Sequence, residues 1–132
     1  MEVILNDIKV MYVKSKNGVF GSKQAFSILE SRLPTLKQRK FYGVLFGEPE
    51  TGEYRACVKI TEQDNPEAMG LDTWIIPGGK YAKRKIKDWW KNIKEIGLTF
   101  EEMSKEYEVD FSRPSIEFYR SQKELIALLP IK

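Results

Sequence analysis

Twice along the chain the hydrophobic pattern runs strand, helix, strand, strand, and the two passes meet near residue 66 with no Gly/Ser-rich linker between them. A repeated order without a linker constrains the fold more than any single motif. Each unit has a sheet face that must be covered, and the cheapest cover is the helix of its own unit plus the neighbouring unit. The expectation is an α+β fold of residues 1–132 as one domain. Its two modules span about residues 9–63 and 72–131, and side-by-side modules leave a ligand cleft at their junction.

The first pass starts with the β-branched and aromatic run Val10-Met11-Tyr12-Val13, a strand. Ser22 is placed to cap a helix over about 23–33, with Phe26, Leu29 and Leu33 on one stripe and Pro34 as its stop. Phe41–Phe46 is the next strand. Residues 54–61 alternate, with Tyr54, Ala56, Val58 and Ile60 on one face and Arg55, Cys57 and Lys59 on the other, which reads as a half-buried antiparallel partner. Residues 63–70 read as a polar loop. In the second pass Thr73–Ile76 opens a strand that bends at Pro77-Gly78-Gly79 and continues through residues 80–86. Asp88 then caps a short helix to about Ile96 with Gly97 after it. Thr99 and Glu102 fit the capping box of a further helix. Residues 115–119 and 125–131 are the closing strands.

The chain has 132 residues, 42% of them hydrophobic, and no histidine. Lack of histidine removes the Ser-His-Asp triad, the Cys-His dyad and histidine-ligated zinc. Cys57 alone makes neither a disulfide nor a thiolate metal site and suits a reducing compartment, and the N-terminal residues do not read as a signal peptide; a cytoplasmic location follows as the expectation. No metal and no cofactor is expected. No apolar run is long enough to cross a membrane as a helix. The 22 basic and 19 acidic residues leave a net charge of +3, too balanced to indicate direct nucleic-acid binding. The basic run from Lys80 to Lys94 reads as a solvated face rather than a phosphate patch. Pro77-Gly78-Gly79-Lys80 is not a phosphate-binding loop, since Tyr81 stands where Ser or Thr is required.

Two groups of residues invite a functional reading. In Ser115–Tyr119, Glu117 shares a strand face with Tyr119. A carboxylate in an apolar strand either meets solvent, pairs with Arg84, Arg113 or Arg120, or serves as a pocket anion. Among the aromatics, Trp89, Ile93 and Ile96 form a helical stripe, and Trp90, about 100° round from Trp89, falls at its edge as a cavity wall or an interface residue.

Ile76-Pro77-Gly78-Gly79-Lys80-Tyr81-Ala82 resembles the iPaGkYA segment of the GyrI-like small-molecule-binding domain, also called the AraC-type effector-binding domain. Ile116-Glu117-Phe118-Tyr119 is similar to that family's E-x-Y strand, and Leu128-Leu129-Pro130-Ile131 to its closing strand. The helix ending in Leu33-Pro34 and the following Phe41–Val44 fit the first half, so the resemblance covers the chain from about residue 9. It implies a concave antiparallel sheet with a central cleft. In multidrug-sensing members that cleft is aromatic and a glutamate of the E-x-Y strand faces cationic ligands. Glu117 and Tyr119 match that motif. Trp74, Tyr42, Phe46 and Trp90 are wall candidates by strand parity or helix position. The length implies a stand-alone form without the DNA-binding region of many members, and the basic charge argues against mimicry of DNA.

The reading that results is a binder of a lipophilic, cationic or aromatic small organic molecule, with Glu117 as charged anchor. Two alternatives stay open. One is a hydrolase of reactive small molecules in which Glu117 is general base and Tyr119 assists. The other is a protein-interaction module, such as a gyrase modulator or the partner of a separately encoded regulator.

Overall fold

A computed structural model describes residues 1–132. Eight antiparallel strands form one sheet: β1 (Glu2–Leu5), β2 (Ile8–Lys14), β3 (Phe41–Phe46), β4 (Glu53–Lys59), β5 (Asp72–Ile76), β6 (Gly79–Lys87), β7 (Ser115–Tyr119) and β8 (Glu124–Pro130). Three helices accompany them: α1 (Ser22–Ser31), α2 (Pro66–Met69) and α3 (Lys94–Glu106). The sheet order is β1-β6-β8-β7-β3-β4-β2-β5.

This order changes the expected repeat from four elements to five. Each half begins with a short extra strand, β1 or β5, that crosses to the other half. β1 pairs with β6, while β5 pairs with β2. Residues 1–8 were not expected to form a strand, because Glu2-Val3-Ile4-Leu5 is short and its alternation covers only four residues. Pro77-Gly78 likewise does more than bend one strand. It sends the chain from β5, at one sheet edge, to β6 on the far side. The corner is tight: a Cβ on Gly78 would lie 2.5 Å from the Leu5 carbonyl oxygen, and Gly79 has φ 134°.

The sheet curls into a half-barrel. β3 and β5 are three places apart in its order, about 14 Å on a flat sheet. Yet the rings of Phe46 and Trp74, one from each, lie 5.3 Å apart. The inner face encloses Val10, Val44, Cys57, Ile76, Tyr81, Ile116, Ile126 and Leu128. On the outer face α1 covers Met11, Ala56 and Val58 with Ala25, Leu29 and Leu33. α3 covers Ala82, Ile86, Leu125, Ala127 and Leu129 with Ile96 and Met103. β4 is therefore buried on both faces over Tyr54 to Val58, apart from Arg55. The alternation predicted a solvent face there, but the curl closes over Cys57.

Ser22 is the first residue of α1 rather than its cap. The loop over 63–70 contains α2, capped by the Asn65 side chain, which accepts from the Ala68 N–H. The two helices expected over 88–107 are one. α3 runs through Gly97, and Thr99 donates its hydroxyl to the Glu95 carbonyl instead of capping. The continuous stripe Ile96, Thr99, Met103, buried against β6 and β8, outweighs the local cost of a mid-helix glycine. A Cβ at Gly97 would meet nothing within 4 Å. Gly97→Ala is thus expected to stabilise the protein by about 0.5–1 kcal/mol in urea unfolding, by the propensity difference alone; a loss of stability would show that α3 needs flexibility there.

Candidate functional site

Gly43 on β3 stands directly opposite Glu117 on β7, so Glu117 and Tyr119 point to the outer face, between the strands that α1 covers and those that α3 covers. Tyr54, on the neighbouring strand β4, points the same way and extends across Gly43 to reach the carboxylate. A Cβ at Gly43 would sit 1.9 Å from the Tyr54 hydroxyl and 2.5 Å from Glu117 Oε1, so only glycine leaves this path open.

The Tyr54 and Tyr119 hydroxyls both donate to Glu117 Oε1, each at 2.7 Å, and lie 3.3 Å from each other. Oε2 receives no hydrogen bond from the chain and is not among the buried unpartnered atoms. Glu117 is enclosed on most sides yet keeps part of its surface open to solvent. Burial raises its pKa, and the two tyrosine hydrogen bonds oppose that without cancelling it. Burial first, and then the adjacent carboxylate, push both phenols well above their ordinary value, so they act as fixed donors. The arrangement holds one oxygen in place by charge-assisted bonds and leaves the other without a partner in the chain.

Aromatic rings surround this trio. Phe26 of α1 makes edge contacts with Tyr119 at 5.3 Å and with Tyr54 and Phe41 at 6.4 Å. Trp89 meets Tyr119 at 5.1 Å and donates its indole N–H to the Ser121 carbonyl.

The predicted site residues divide. Glu117 and Tyr119 are together, hydrogen-bonded as described, and none of the three candidate arginines pairs with Glu117. Arg84 binds Glu102 and Glu106, Arg113 binds Asp110 and the Ile131 carbonyl, and Arg120 faces Glu124. Tyr42, Phe46 and Trp74 do not line this site. Tyr42 stacks on Phe118 at 4.9 Å on the inner face, because strand parity puts Tyr42 and Gly43 on opposite sides. Phe46 and Trp74 pack with Tyr12 around the Arg55 guanidinium, 4.5–4.8 Å from each ring, so their π faces are already occupied. Trp90 is 54% exposed beside Lys91. Asp88, at φ 50°, turns the chain into a single 3-10 turn over Trp89–Lys91, and it is Trp89 that faces inward. Ile93 is 66% exposed, so the stripe expected over 89–96 does not form.

Gly43, Tyr54, Phe26 and Trp89 complete the site although none of them is among the candidates read from the sequence. The signal for the first two was present: a glycine in the middle of a β-branched and aromatic strand marks close approach of something large. Three residues of the basic run are paired on the surface, Lys80 with Glu2, Arg84 as above and Lys85 with Glu124. No group of acidic or cysteine side chains is arranged to hold a metal, and no helix is long and apolar enough to cross a membrane.

No family model and no curated protein matches this sequence. Solved structures match over the whole chain. The EcmrR C-terminal domain superposes with a TM-score of 0.71 at 8% identity, covering 100% of this chain and 96% of its own. An integron cassette protein from the mobile metagenome of Vibrio cholerae gives 0.69 at 12%, covering 100% and 95%. SAV2435 bound to tetraphenylphosphonium gives 0.61 at 13%, covering 100% and 93%. A hydrolase from Listeria innocua also gives 0.61, at 10%, covering 100% and 90%. At these identities the likeness is one of fold, and the curled eight-stranded sheet with its doubled strand-strand-helix-strand-strand order is the fold of the GyrI-like small-molecule-binding domains.

Proposed function

We propose that this protein binds lipophilic organic cations in the groove between α1 and α3, with Glu117 as the charged anchor. The observation that carries the reading is the half-satisfied, desolvated carboxylate: Oε1 is held by two tyrosines, and Oε2 has no partner in the chain, inside an aromatic setting. A carboxylate with a raised pKa is held in its charged form at a cost, and a bound cation offsets that cost. Edges and faces of Phe26, Trp89 and Tyr119 supply apolar contact, with cation–π terms of about 0.5–2 kcal/mol each. That SAV2435 takes tetraphenylphosphonium on the same fold supports this ligand class.

The test is calorimetry with a shape-matched pair, tetraphenylphosphonium and tetraphenylborate. The phosphonium is expected to bind more tightly at neutral pH. Its affinity should fall on acidification while the pH is still above the ordinary glutamate range, because a raised pKa means Glu117 takes up its proton early. Equal affinities, or a phosphonium affinity insensitive to pH, would remove Glu117 as anchor.

A second reading, hydrolysis with Glu117 as general base, rests on the same free Oε2 and raised pKa, which suit proton abstraction from water. The Listeria innocua hydrolase shares the fold. Turnover of a reactive substrate that disappears in Glu117→Gln would favour it.

A further inference from the structure

The turn that carries Trp89 has a second, outward surface. Trp89 packs toward the Glu117 site, meeting Tyr119 at 5.1 Å, whereas Trp90, the next residue, is 54% exposed. Ile93 and Leu98 follow, 66% and 57% exposed. Other large apolar side chains reach solvent, among them Ile4, Phe20, Ile75 and Phe111, but no other three fall within nine residues of one another. Chain geometry keeps this group together. Trp90 and Ile93 are separated by at most about 11 Å of backbone, and Ile93 and Leu98 by about 7.5 Å of helix rise. α3 turns Ile96, Thr99 and Met103 to the sheet, which leaves Ile93 and Leu98 on its open flanks.

Lysines interleave with these side chains. The Lys91 ammonium lies 5.3 Å from the centre of the Trp90 ring. Lys94 falls between Ile93 and Leu98 around the helix, about 100° from one and about 40° from the other. Lys87 precedes the turn, and Lys123 is tied to it: the Asp88 N–H donates to the Lys123 carbonyl at 2.6 Å, and the Trp89 indole to the Ser121 carbonyl at 3.2 Å. The acids of residues 87–98 are Asp88 and Glu95, so the patch is net basic.

This mixture selects its partner. Protein interfaces are depleted of lysine at their centres, and a nucleic-acid backbone offers no apolar medium to an isoleucine. A bilayer surface accepts every part. Indole rings settle at headgroup level, aliphatic side chains enter the acyl boundary, and lysine stems run up to the anionic headgroups.

We propose that the start of α3 docks on an anionic lipid surface, with Trp90 and Ile93 entering the headgroup layer and Lys91 and Lys94 meeting lipid phosphates. The docking is peripheral, since no helix of the chain is long and apolar enough to cross. Where the cation reading of Glu117 holds, docking sets that site beside the medium in which lipophilic cations collect. The docking itself does not depend on that reading.

Co-sedimentation of the full chain with phosphatidylglycerol vesicles tests this, with phosphatidylcholine vesicles as the neutral arm. The anionic vesicles are expected to bind at least about tenfold more tightly. The double variant W90S/I93S, changed at exposed side chains, should keep its melting temperature and charge yet bind the anionic vesicles about tenfold more weakly. K91Q/K94Q should also lose about tenfold and show a shallower dependence on salt. Glu117→Gln should sediment as the parent does, so that a failed cation site and a failed docking surface are separate results. No sedimentation with the anionic vesicles, equal binding to neutral ones, or an unaffected W90S/I93S would overturn the proposal. So would a dimer, or binding of a single-stranded oligonucleotide, that W90S/I93S abolishes while vesicles leave the parent in solution.

Discussion

Gly43→Ala is expected to destabilise the protein by about 1–3 kcal/mol, the usual range for an overpacked core, and to abolish binding in the groove. The added methyl would stand 1.9 Å from the Tyr54 hydroxyl oxygen and 2.8 Å from its ring carbon, distances no side chain tolerates. Tyr54 is only 1% exposed and wedged against Phe26, so it has no free volume to retreat into. Its displacement would take one donor from Glu117 Oε1 and tilt the carboxylate away from its seat. A strand glycine whose only role is backbone freedom would behave otherwise. Its backbone is extended, and alanine there would stabilise the strand slightly by lowering the entropy of the unfolded chain. Chemical denaturation of Gly43→Ala beside Tyr54→Phe separates the cases. The phenylalanine variant removes the hydroxyl that collides, so Gly43→Ala should cost less on the Tyr54→Phe background than alone. Strict additivity of the two changes would mean that Gly43 is not there to make room for Tyr54.

How legible this was differs between the sheet and the site. The strands over 10–13, 41–46, 115–119 and 125–131 stand where alternation and β-branched runs put them, because each buries at least one face along its length. What alternation does not carry is which strands become neighbours. β1 was invisible since its four residues are stabilised by pairing with β6, nearly eighty positions away in sequence. Gly97 and Thr99 imitated a helix boundary, and tertiary burial of Ile96 and Met103 overrode it. At the site, the Glu117–Tyr119 pair could be read from parity and from the family motif. The aromatic partners could not, since Tyr42, Phe46 and Trp74 look like Tyr54, Phe26 and Trp89 until the face of the sheet is known. Parity relative to Glu117 settles that only when the register Gly43 to Glu117 is known.

Glu117→Gln is expected to leave the fold intact and to weaken tetraphenylphosphonium binding by about 1–3 kcal/mol, the loss of a charged acceptor in a desolvated setting. Glutamine keeps an oxygen to accept from Tyr54 and Tyr119, so the trio retains its shape. The effect on stability has a definite sign. A carboxyl whose folded pKa is raised stabilises the fold at pH below the ordinary glutamate value, and that contribution is lost as pH rises through the raised value. At neutral pH the ionised Glu117 is therefore carried at a cost, and Glu117→Gln should melt at the same temperature as the parent or higher. If Glu117 were a structural ion-pair residue, its replacement would strand a buried cation and the melting temperature would drop. No cation of the chain touches it, and both its neighbours are phenols. The decisive measurement is one pair of experiments on this single variant at neutral pH: a thermal melt and a calorimetric titration with tetraphenylphosphonium. An unchanged or raised melting temperature together with at least a fivefold loss of affinity, about 1 kcal/mol, is the predicted result. A lowered melting temperature with affinity unchanged would contradict it.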